Sequence, residues 1–260
     1  MTVDLHLVSW NRPKMTELVI KTIHRNTKRE NFRLTVLDNG SDESTQEMLL
    51  IMGDNGLIDE LITHNSNIGL EAAREQMRRS STYGKYFIDI DNDCLPEPMQ
   101  GDVDWVDRLI DLMERFEDYA AISCRTQVMI GSGNIFENES NAITDFPHPG
   151  GSLRIMNTDA AREVGGWEDN KPGRGTEERY ICGKLRAAGY KTGFATHIYT
   201  LHLFGTRGGD QETDRWGYDK DFKPEETGHS DIWHPALANG DDPYDVEKFA
   251  GKELTKEYFQ

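Results

Sequence analysis

Asp91-Asn92-Asp93 is the densest chemical signal in the sequence. Two carboxylates one residue apart can present oxygens to a hard divalent cation, Mn²⁺ or Mg²⁺, which prefers such ligands together with phosphate oxygens and water. The plain alternative is a solvated acidic turn that caps a helix. A second signal is Gly165-Gly166-Trp167-Glu168-Asp169, followed by Gly173-Arg174-Gly175-Thr176-Glu177-Glu178 leading into a helix. Glu177 and Glu178 are favourable charges at the positive end of that helix. A carboxylate there can equally take a proton from a bound hydroxyl, which is general-base work. His202, in Tyr199-Thr200-Leu201-His202-Leu203, is either a packed strand histidine or the imidazole that completes a metal site built from carboxylates.

Short apolar strands alternate with amphipathic helices through the first half, which predicts an α/β fold with helices flanking a mostly parallel central sheet. Strands are expected at residues 3–8, 34–38 and 57–63, and at residues 86–88 running directly into the acidic motif. Acid groups then sit at the C-terminal end of a central strand, the edge where open α/β sheets bind ligands. Pro13 suits the first turn of a helix, and Ser41 or Asp42 can cap the next. Helices are expected again near residues 104–119, 158–164 and 176–188, and strands at 152–156 and 190–202. Residues 131–151 read as a Gly-, Asn- and Pro-rich connection across the sheet edge.

The chain has 260 residues, the size of one domain with a single core. Its formal net charge of −17 disfavours broad binding to DNA, RNA or anionic membrane, while a small phosphorylated ligand is still accommodated if a cation bridges it. No stretch approaches the ~20 apolar residues of a membrane span, and the N-terminus lacks the pattern of an export leader. Cys94, Cys124 and Cys182 are odd in number and widely spaced, without a CxxC pair. They read as reduced thiols of a cytoplasmic protein.

Taken in order, the motifs resemble the family 2 inverting glycosyltransferases of the GT-A fold. The match runs through Val8-Ser9-Trp10-Asn11-Arg12-Pro13, Val36-Leu37-Asp38-Asn39-Gly40-Ser41-Asp42, Asn67-Ile68-Gly69 with Ala73-Arg74, and Phe87 to Asp93. It continues with Gly165-Gly166-Trp167-Glu168, Glu177-Glu178, Leu185, Gly189-Tyr190 and His202. The resemblance implies a single GT-A domain over residues 1–204, with residues 1–100 as its nucleotide-binding half and 101–204 as its acceptor and catalytic half. Residues 205–260 are expected to form a lid loop and an acidic tail.

Carried over position by position, the resemblance implies that Asp38 meets the nucleotide base, with Ser9, Asn11 and Arg12 in the neighbouring pocket. Asn67, Gly69 and Arg74 would line the ribose and diphosphate side. Asp91 would touch ribose or metal, Asp93 would be the principal ligand of Mn²⁺ or Mg²⁺, and His202 would approach from the other side. Glu178 is the expected base, with Glu177 or Asp169 as substitutes, because the family's usual acid-Asp pair is Glu-Glu here. Trp167, where the family usually has Phe, either stacks on an acceptor sugar or fills core. Arg207, in Gly205-Thr206-Arg207-Gly208-Gly209, either reaches a diphosphate on lid closure or lies in a noncatalytic loop.

The implied activity is transfer of a sugar from a nucleotide-diphosphate donor, UDP by family default, to an acceptor hydroxyl with inversion. The acceptor classes are glycan, lipid-linked sugar, protein or small molecule, with modified DNA disfavoured by the net charge. Two other readings use a similar sheet. A nucleotidylyltransferase would need a Gly-rich phosphate loop with a Lys or Arg after the first strand, and Ser9 to Pro13 contains no Gly. A noncatalytic sugar- or nucleotide-binding module on the same fold would use the same pocket without turnover.

Overall fold

The computed structural model describes residues 1–81, 84–126, 141–167 and 177–202. Strand β1 (Val3–Ser9) is followed by helix α1 (Pro13–Asn26), β2 (Phe32–Asp38), α2 (Glu43–Asp54), β3 (Glu60–Thr63), α3 (Leu70–Ser80) and β4 (Tyr86–Asp91). This is the alternation expected from the sequence, and its strands pair in parallel in the order β3-β2-β1-β4. Helix boundaries follow local chemistry. Pro13 opens α1, where its missing N–H costs nothing. Asp42 caps α2 by accepting from the Thr45 N–H at 2.8 Å.

Past β4 the rhythm changes. The short β5 (Cys94–Pro96) and α4 (Trp105–Arg115) precede β6 (Tyr119–Thr126), β7 (Ile143–Asp145), β8 (Leu153–Asn157), α5 (Thr158–Glu163), α6 (Glu177–Ala187) and β9 (Lys191–His202). Strand β8 enters beside β4 antiparallel, β6 pairs β8 antiparallel, and β9 runs parallel to β6 while pairing β5 and β7 antiparallel. Among the described residues the nine strands form one mixed sheet, so the parallel series implied by the sequence is confined to its first four strands. The helix expected to reach residue 119 stops at Arg115, and Tyr119 instead opens β6, a strand the sequence reading did not separate from it. The strand expected from residue 57 begins at Glu60.

Strand alternation divides the side chains between two faces. Leu5, Leu7, Ile88, Ile90, Leu153 and Ile155 join α1, α2 and α4 in one large core. Phe87, Met156, Ala121 and Trp167 join α5 and α6 in a second, while Leu37 packs with Ala73 and Met77 of α3 in a third. On the face carrying α3, α5 and α6, the positions alternating with this apolar set are His6, Asp89, Asp91 and Arg154. The buried charges of β1, β4 and β8 thus share one face of the sheet. No described helix is long and apolar enough to cross a membrane.

Candidate active site

Strand register sets the rim of the site. Ser9 stands opposite Asp38, Val8 opposite Asp91, and Asp38 opposite Thr63, so β1, β2, β3 and β4 all end at one edge. The turn Asn92-Asp93 then hands the chain to β5, where Cys94 lies directly across from His202 at the end of β9. This return brings two acids and an imidazole together from positions 109 to 111 residues apart in the chain. Asp93 Oδ1 is 3.3 Å from His202 Nε2, and Asp93 Oδ2 is 3.3 Å from the Arg12 guanidinium. The Cys94 thiol donates to Asp93 Oδ1 at 3.6 Å.

Beside this cluster, Arg74 of α3 joins two acids. One nitrogen donates to Asp91 Oδ1 at 2.7 Å and the other lies 2.6 Å from Glu177 Oε2. The second oxygen of Glu177 accepts from Arg154 at 2.6 Å and from the Trp167 indole N–H at 2.9 Å. Arg154, fully buried in β8, also reaches Asp89 at 3.3 Å. Removing so many charges from water is tolerable because each has a partner of opposite sign within hydrogen-bond reach. A Cβ on Gly151 would stand 2.6 Å from Arg74 Nη1 and 3.0 Å from Glu177 Oε2, which is why glycine sits where this pair meets the backbone.

Two sequence-derived alternatives are corrected by this packing. Glu177, held as a substitute base, borders the same cleft but is buried with its oxygens engaged by Arg74, Arg154 and Trp167, so it is already committed as a structural ion-pair partner. Trp167 is 2% exposed and its ring belongs to the second core; it fills core and offers no stacking face. Glu178, one residue on, is partly exposed and lines a cleft of about 280 Å³ together with Arg74, Asp91, Thr126, Ser152 and His202. Asp169 and Arg207 lie outside the described residues, as does the segment 205–260.

The residues assigned to the nucleotide side form a hydrogen-bonded rim. Asn11 adopts a left-handed φ of 50°, donates its N–H to Ser41 Oγ at 3.0 Å and accepts from the Asp42 N–H at 2.7 Å. The Asp38 carboxylate is buried and accepts from the Ser41 N–H and from Gln46. Asn67 accepts from Asn39 at 3.0 Å and from the Gly69 N–H at 2.8 Å, and Gly69 caps α3 with φ 90°. Ser9 is buried against Thr16. These contacts fix the loops after β1, β2 and β3 relative to one another before any ligand arrives.

The electrostatics fit a divalent cation. Burial and the adjacent Asp93 carboxylate push the Asp91 carboxyl up to about 6, although Arg74 pulls it down. Burial lowers the His202 imidazole, but Asp93 at 3.3 Å outweighs it and the net shift is upward. Burial, then Asp93 and Asp91, hold the Cys94 thiol well above its ordinary value. Such strain between like charges is what a cation relieves, and the donor set of carboxylates and imidazole suits Mn²⁺ or Mg²⁺. Sequence reasoning found Asp91, Asp93 and His202 but missed Arg154, Gly151 and the approach of Cys94, which depend on cross-strand pairing.

Solved structures with the same chain path have the GT-A fold. The structure of GalNAc-T7 with UDP, GalNAc and Mn²⁺ superposes with a TM-score of 0.64 at 16% identity, over 77% of this chain and 43% of that one. The mannosyltransferase PcManGT from Pyrobaculum calidifontis, in complex with GDP-Man and Mn²⁺, gives 0.63 at 18% identity, over 79% and 58%. TarS of S. aureus gives 0.56 at 10% identity, over 76% and 36%. The chain thus spans 36–58% of the length of these structures. A search of curated proteins gives no match. The sequence profile of glycosyl transferase family 2 matches residues 5–170, from β1 to the segment after the double glycine, and the chain belongs to that family.

Proposed function

We propose that the protein is a metal-dependent inverting glycosyltransferase that moves a sugar from a nucleotide-diphosphate donor, a UDP-sugar by family default, to an acceptor hydroxyl by single displacement. The observation that carries this reading is that Asp91, with Asp93 and His202 beside it, and Glu178 border one cleft from opposite elements. Two of the structural neighbours hold a nucleotide together with Mn²⁺, one UDP and one GDP-Man. A Mn²⁺ or Mg²⁺ held by Asp93, Asp91 and His202 would supply positive charge where the diphosphate leaving group gains negative charge. Arg74 orients Asp91 for that role.

Glu178 takes the proton from the acceptor hydroxyl as its oxygen attacks the anomeric carbon from the face opposite the diphosphate, so configuration inverts. The side chains on Asn11, Arg12, Asp38 and Asn67 hold the loops against which the nucleotide seats. Acceptors in keeping with the acidic surface are glycan, lipid-linked sugar, protein or small molecule. The free, buried Cys94, Cys124 and Cys182 suit the cytoplasm.

Calorimetric titration of UDP with and without Mn²⁺ tests the donor side. Binding should require the ion and disappear in excess chelator and in Asp93→Ala; equal affinity in chelator overturns the reading. Glu178→Gln tests the base. It should keep UDP binding and cut transfer or donor hydrolysis by about 10²–10⁴-fold, and survival of turnover would reassign the base.

A further inference from the structure

We propose that Gln46 selects the nucleobase: its amide oxygen, held outward by Asp38, accepts a ring N–H, so the nucleotide side of the cleft takes uracil and guanine over cytosine and adenine. The inference rests on the reading of this rim as the nucleotide side of a glycosyltransferase and deepens it to the class of base. Asp38 closes β2 at the rim with no exposed surface, and both of its oxygens face donors. Gln46 Nε2 donates to Asp38 Oδ2 at 3.2 Å and to the Ser41 carbonyl at 3.1 Å. An amide nitrogen has two hydrogens, and these two contacts use both. A carboxylate and a carbonyl can only accept, so the chemistry of the partners fixes which end of the amide faces inward. Oε1 is the outward end, without a hydrogen-bond partner among the described residues, on a half-buried side chain.

Local structure sets this amide before a ligand arrives. Gln46 follows the first turn of α2, its N–H bonded to the Asp42 carbonyl at 3.1 Å, and Asp42 caps that helix. Asn11 ties Ser41 and Asp42 to the loop after β1. Strand β1 lies between β2 and β4, so Asp38 and Asp91 are two strand spacings apart, roughly 9–10 Å. A nucleoside diphosphate bridges that gap with its base at Gln46 and its phosphates at the cation. An acceptor there decides between bases by the ring nitrogen. Uracil N3 and guanine N1 carry a hydrogen, whereas cytosine N3 and adenine N1 carry a lone pair that would face Oε1 and leave it unpaired. Asp38 is then a positioning residue that acts on the base through Gln46. Nothing in the sequence marks Gln46, which falls eight residues after Asp38 inside a helix and outside every motif.

Calorimetric titration of the full chain, in Mn²⁺, with UDP, CDP and N3-methyl-UDP tests the assignment. UDP should bind about 5- to 100-fold more tightly than the other two, the cost of leaving Oε1 unpaired. Gln46→Met keeps the length and helix propensity of the side chain but removes the acceptor; UDP should fall to the level of CDP, and the preference should vanish. Gln46→Glu returns an acceptor at the same reach and should restore the preference at lower overall affinity, because its second oxygen meets Asp38 with no hydrogen between them. Melting temperatures show that both variants fold. A preference that survives Gln46→Met overturns the proposal, gives the base to another residue and leaves the glycosyltransferase reading standing. Equal affinity of the wild type for UDP and N3-methyl-UDP overturns it without any variant. Failure to bind any nucleotide in Mn²⁺ overturns both.

Discussion

Arg154 shows how a single side chain decides the role of two others. It is fully buried, faces Asp89 and Glu177, and holds the latter at 2.6 Å. Sequence alone could not choose between Glu177 and Glu178, because successive residues in a helix's first turn differ by about 100° in direction and nothing local says which faces inward. The arginines of α3 and β8 make that choice. Arg154 itself was illegible: in Leu-Arg-Ile-Met-Asn it occupies the position where alternation normally puts a solvated side chain. The acidic pair and His202 were legible because motif order along the chain carried them. Arg154→Met should leave Asp89 and Glu177 short of a countercharge and lower stability by about 3–5 kcal/mol, read as a shift of the urea midpoint. A drop below 1 kcal/mol would mean that Arg74 alone suffices.

At the scale of elements, the first four strands were readable because each apolar run is followed by a turn signal and a helix of the right period. The second half was harder. Strands β5 and β7 have three residues each, too short to show a period, and β6 follows α4 so closely that its Tyr-Ala-Ala-Ile reads as more helix. The turn after β2 is where an element depends most on one residue. Gly40 has φ +75°, and a Cβ there would come within 2.4 Å of the Ser66 backbone, so two loops of the rim touch through the absence of a side chain. Gly40→Ala should cost about 1–3 kcal/mol from backbone strain alone, and more from the clash. Thermal unfolding measures it, and UDP affinity should fall in parallel because Asp38 and Asn67 sit on the two displaced loops.

For the whole molecule, the fold class was legible from rhythm and the balance of parallel and antiparallel pairing was not, since direction of return depends on where the chain goes after leaving the sheet. Stability in acid is expected to depend on buried carboxylates such as Glu75 of α3. Burial pushes the Glu75 carboxyl up, but Arg78, Arg79 and the Trp167 N–H outweigh it and hold it below the ordinary value. The stabilisation is therefore complete above the ordinary carboxylate pKa and is lost as pH falls through the lower folded-state value. Glu75→Gln should cost about 1–3 kcal/mol at neutral pH and flatten the fall in melting temperature between pH 5 and pH 2, roughly the range over which carboxylates titrate. An unchanged slope would place the acid sensitivity elsewhere. One guanidinium, that of Arg74, spans 2.7 Å to the acid on the cation side and 2.6 Å to the neighbour of the proposed base. In the proposed mechanism, leaving-group stabilisation and nucleophile activation therefore share a single mechanical link, and a substitution that retunes one pole should drag the other with it.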